Sequence, residues 1–103
     1  MNNRLLLNRE WDIQGNWYAP ERFIRDNFKS VICSHLVQTC SSAGDWSGVF
    51  VQQFGKKFYI IGFSQENNYP SSGYTLYTGS RFSVMNEKPT FDEIEEVYEE
   101  LCP

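Results

Sequence analysis

A chain of 103 residues is short enough to be one domain and long enough for a single core that buries roughly 65% of the unfolded chain's surface. Aromatic residues make up 17% of it, which argues against a disordered chain. The formal charge of −4 is concentrated at one end: Glu87, Asp92, Glu93, Glu95, Glu96, Glu99 and Glu100 face Lys88 alone, while residues 1–86 carry a small excess of bases.

Leu5, Leu6 and Leu7 form the longest apolar run near the start, too short for a signal-peptide core of about 7–15 residues or a membrane span of about 20. Cys33, Cys40 and Cys102 are an odd set without C-x-x-C spacing, which argues against a disulfide framework and for a reducing compartment. A soluble, cytoplasmic protein of residues 1–103 in a single domain is expected, without a membrane partner.

In chain order, "REWDIQ" and "WYA" read as strands around Gly15-Asn16, a pair suited to a tight hairpin turn. The stretch after Pro20 carries Glu21 in a first helical turn and apolar residues Ile24, Phe28, Val31, Ile32 and Leu36 at helical spacing. These features predict one long helix over about 20–41. "GVFVQQF" and "KFYIIGFSQ" flank Gly55-Lys56, the residues a type II′ turn asks for, and predict a hairpin with Phe50 opposite Ile61 and Val51 opposite Ile60. "GYTLYT" and "RFSVMN" around Gly79-Ser80 predict a second hairpin, with Tyr77 opposite Phe82.

The last element opens on a capping box, Thr90-x-x-Glu93, directly after Pro89. A short acidic helix over about 91–101 is expected, with Phe91, Ile94, Val97, Tyr98 and Leu101 as its apolar stripe and Asp92, Glu93, Glu95, Glu96, Glu99 and Glu100 on the opposite arc. The fold class that results is α+β: an antiparallel sheet of four to six strands, one long helix and one short acidic C-terminal helix.

"CSHLVQTC" holds His35, the sole histidine, and two cysteines. In a helix Cys33 and His35 point about 200° apart, and Cys33 and Cys40 lie about 10.5 Å apart along the axis, which rules out a thiolate–imidazole pair, a disulfide and a shared zinc ion. His35 itself falls in the apolar stripe as an inward-facing residue. GxSxG, P-loop, GxGxxG, HExxH and EF-hand signatures are absent from the sequence, so no catalytic residue, cofactor or metal site is assigned. Asp12, Glu21, Asp45 and Glu66 are the acids that the fold could bring together.

The acidic helix face is the most specific feature. Asp92/Glu96, Glu95/Glu99 and Glu96/Glu100 are like-charge pairs at i,i+4 that each cost about 0.2–0.5 kcal/mol, and Glu99 and Glu100 oppose the helix dipole. A surface of one sign suits a basic partner, since it speeds encounter and penalises wrong partners. The expected function is a small non-enzymatic binding protein, similar in size and acidity to inhibitors, immunity proteins and anti-defence proteins. It would dock a basic protein through Asp92, Glu93, Glu95, Glu96, Glu99 and Glu100, with Trp46 and Tyr69 as exposed loop aromatics. Direct nucleic-acid binding is not expected, because the bases are scattered. The alternatives are a small enzyme or ligand-binding fold with a pocket near His35, and an assembly subunit that self-associates through a sheet face or edge.

Overall fold

The computed structural model describes residues 5–13, 20–40, 45–68 and 71–101. Five strands form one antiparallel sheet: β1 (Glu10–Ile13), β2 (Val31–Cys40), β3 (Asp45–Phe54), β4 (Lys57–Asn67) and β5 (Tyr74–Met85), in the order β1-β5-β4-β3-β2. Helix α1 (Pro20–Asn27) lies between β1 and β2 in the chain, and α2 (Phe91–Leu101) follows β5. The α+β class with an antiparallel sheet and a terminal acidic helix agrees with the sequence reading. The Gly15-Asn16 turn lies outside the described residues.

The β3–β4 hairpin has the expected register, with Phe50 opposite Ile61, Val51 opposite Ile60 and Gln52 opposite Tyr59. Its turn has Gly55 at φ +65°, a conformation that glycine adopts without steric cost, while Lys56 stays at negative φ, as type II′ requires. Alternation along these strands sends Phe50, Ile61 and Phe63 to one face and Val49, Val51 and Ile60 to the other, so the sheet needs two covers.

On the first face Ile24 of α1, Leu6 of the N-terminal segment and Ile13 close over Phe50, Ile61, Phe63 and Leu76. Trp11 and Phe28 pack beside this cluster with their rings tilted at 55° and centroids 4.9 Å apart. On the second face Ile94 and Val97 of α2 close over Val49, Val51 and Ile60. Burial of each such side chain is worth about 1.5–3 kcal/mol. The helices thus lie on opposite sides of the sheet.

Two sequence expectations are corrected. The long helix over 20–41 does not form: α1 stops at Asn27, whose Nδ2 donates to the Phe23 carbonyl at 2.8 Å, and residues 31–40 are the edge strand β2. Val31, Ile32, Val37 and Thr39 are β-branched and prefer a pleated surface. Their spacing imitates a helix because β2 is bulged. Val31 pairs with Gln52 and Cys33 with Val51, so Ile32 is an extra residue that switches the faces and breaks the period of two. The second hairpin, around Gly79-Ser80, is also absent. β5 runs unbroken through both residues, and the step from Thr78 to Phe82 spans four positions against two on β4, from Phe63 to Ile61. Glycine and serine here accommodate a bulge, not a chain reversal.

Candidate functional site

Helix α2 starts as its capping box predicts. Thr90 Oγ1 accepts the Glu93 amide at 3.2 Å, and Glu93 Oε1 accepts the Thr90 amide at 2.8 Å. Glu93 is therefore tied to the cap, although its side chain is exposed. Asp92, Glu95, Glu96, Glu99 and Glu100 are exposed too, and among the described residues none of them makes an ion pair. At the other end Arg81 Nη2 donates to the Glu100 carbonyl oxygen at 3.1 Å, which supplies the C-terminal cation that α2's own sequence lacks.

Phe91 departs from the expected apolar stripe. Ile94 and Val97 are buried, whereas Phe91 is 63% exposed in the first turn, flanked by the carboxylates. His35 meets its ring edge-on at 5.8 Å and meets Tyr98 at 5.2 Å. The Tyr98 hydroxyl lies 3.1 Å from Ser47 Oγ, which anchors α2 to β3.

Strand alternation puts three of the acids named from the sequence, Asp12, Asp45 and Glu66, on one face and adds Glu10, which sequence reasoning did not name. Glu10 pairs with Tyr77, Asp12 with Thr75, Glu66 with Thr75, and Asp45 heads β3 in phase with Val49 and Val51. All four carboxylates belong to the face that α2 covers. Burial first, and then Glu66, Asp45 and Glu10, push the Tyr77 phenol above its ordinary pKa. The signal was present in "EWDI", where Glu10 and Asp12 alternate with Trp11 and Ile13, but it needed the pairing partner to fix which face is which. Glu21, by contrast, belongs to α1 on the other side.

The remaining candidate residues are resolved differently. Trp46 is not a loop residue: it sits within β3, half-buried and paired with Gln65. Tyr69 lies outside the described residues. His35 is on β2, half-buried, and its ring faces two aromatic rings with no hydrogen bond to a carboxylate among the described residues. In a strand Cys33 and His35 point to the same face, contrary to the helical expectation, yet they make no hydrogen bond. Burial raises the Cys33 thiol pKa more than nearby Lys88 lowers it, the reverse of an activated nucleophile. A groove of about 580 Å³ lies elsewhere, between Phe28, Lys29, Ile32, Gln52 and Phe54.

Among the described residues there is no cluster of three or more His, Cys, Asp or Glu side chains able to hold a metal ion, and no helix long and apolar enough to cross a membrane. Comparison with protein-family models, curated proteins and solved structures gives no match. What the fold and its surface define is a five-stranded α+β domain with one acidic side.

Proposed function

We propose that this chain is a small non-enzymatic binding protein of the inhibitor, immunity or anti-defence kind, which works in the cytoplasm by occupying a basic surface of another protein. The observation that carries this reading is the convergence of acids on one side of the sheet. Glu10, Asp12, Asp45 and Glu66 from the strands share this side with Asp92, Glu95, Glu96, Glu99 and Glu100 of α2, and Phe91 is exposed in the first turn of the same helix.

A face of this composition accelerates encounter with a basic partner and sets its orientation, while one exposed phenylalanine supplies the apolar anchor that charge alone lacks. The repulsion between glutamates one turn apart is a cost to the free protein that a basic partner removes.

The test is the recovery of interacting proteins from the native host with the wild type and with Glu95→Gln/Glu96→Gln/Glu99→Gln/Glu100→Gln. The expected partner is basic, is released by salt, and is lost with the quadruple variant while the circular-dichroism melt stays unchanged. Retention of the partner by that folded variant would refute the reading.

A further inference from the structure

β5 is covered on its outer edge over half its length. β1 pairs with Tyr74–Tyr77, the Thr78 amide donates to the Arg9 carbonyl at 2.9 Å, and the Asn8 amide donates to the Gly79 carbonyl at 3.0 Å. There the pairing stops, because Asn8 has φ +54° and turns the chain off the edge. Asparagine tolerates this left-handed conformation better than most residues. Leu6 then crosses the sheet face, its amide held by Gln52 Oε1 of β3. From Ser80 to Met85 the outer edge of β5 has no pairing partner among the described residues.

Two side chains along the same stretch are apolar and exposed. Phe82 is 42% exposed and Val84 46%, both on the α1 side. Tyr59 meets Phe82 at 5.6 Å and Phe54 at 6.1 Å, so an aromatic row runs up to the open edge. Native proteins blunt edges with lysine, proline or bulges; the β5 bulge ends before Phe82, and Phe82–Met85 has none of these. The opposite free edge, β2, is broken by two register irregularities.

We infer that the open edge of β5 pairs with the same edge of a second copy of this chain, antiparallel about a two-fold axis at Ser83. The occupant is identified by self-complementarity. Phe82 and Val84, both apolar and exposed, lie symmetrically about Ser83. Antiparallel pairing on that centre sets Phe82 opposite Val84 of the second copy, and Val84 opposite its Phe82. These are the aromatic–β-branched cross-strand pairs that stabilise sheets. Arg81 falls opposite Met85 of the second copy, at the last position of the strand. An axis at Ser83 stands perpendicular to the sheet, joins two five-stranded sheets into one of ten strands, and leaves both acidic α2 sides facing the same way.

Sedimentation equilibrium from micromolar to millimolar chain concentration tests this. The expected wild-type result is a reversible monomer–dimer equilibrium, with the mass doubling at high concentration. Val84→Lys, at an exposed position, should remain monomeric over the same range with an unchanged melt. Ser83→Cys should form, on oxidation, a disulfide-linked dimer whose bridge maps to position 83 by peptide mass spectrometry, and this readout holds should Val84→Lys fail to fold. A strictly monomeric wild type, a dimer that survives Val84→Lys, or no bridge at position 83 would each overturn the inference. An edge reserved for an extended segment of another protein would give the first of these results.

Discussion

Gln52 Oε1 accepts the backbone amide of Leu6 at 3.0 Å, across 46 residues of sequence, while its Nε2 donates to Ser30 Oγ at 3.1 Å. One buried side chain of β3, 2% exposed, thereby fixes both the N-terminal segment and the loop between α1 and β2. Gln52→Leu keeps the volume but leaves the buried Leu6 amide unsatisfied. The expected loss is about 1–3 kcal/mol in urea unfolding. Equal stability of the variant would show that water replaces the glutamine.

Gly48 is a packing requirement. A Cβ there would run into the His35 carbonyl oxygen of the neighbouring strand and come within 3.0 Å of the Phe63 ring. Backbone cannot move aside as a flexible side chain can. Gly48→Ala should destabilise by about 1–3 kcal/mol, read as a lower thermal midpoint.

Thr90 and Phe91 are neighbours with opposite roles. Thr90→Ala removes the hydroxyl that accepts the Glu93 amide and should cost about 1 kcal/mol of stability. Phe91→Ala, at a mostly exposed position, should change stability by no more than about 0.5 kcal/mol. If Phe91 is the anchor proposed above, this substitution weakens partner binding without a change in the melt. Chemical denaturation of both variants distinguishes cap from anchor.

Tyr77 makes stability depend on alkaline pH. Its folded-state pKa lies above the ordinary 10.0, so the folded protein holds the phenolic proton more tightly than the unfolded chain does. The resulting stabilisation is complete below the unfolded value and is lost as pH rises through the folded one. Wild-type stability should therefore fall more steeply above pH 10.0 than that of Tyr77→Phe. Parallel slopes in urea titrations across that range would contradict the assignment.

The readable parts of this sequence were those where local chemistry and tertiary structure agree. The capping box at Thr90 and Glu93 contains both hydrogen-bonding partners within one turn, so the start of α2 follows from four residues. Gly55-Lys56 sets the β3–β4 register in the same way, because a two-residue turn leaves little choice of pairing.

Residues 31–40 and 79–81 needed the third dimension. A bulge is defined by the partner strand, and without β3 beside it the Val31-Ile32 pair keeps the spacing of a helix. Gly79-Ser80 looks like a turn until β4 is seen to run past it. The acidic side divides along the same line. The sequence alone determines that the glutamates of α2 share one arc, since 100° per residue is intrinsic to the helix. That Glu10, Asp12, Asp45 and Glu66 join them was decided by tertiary structure, because a strand states which residues alternate but only its neighbours state which side is the core.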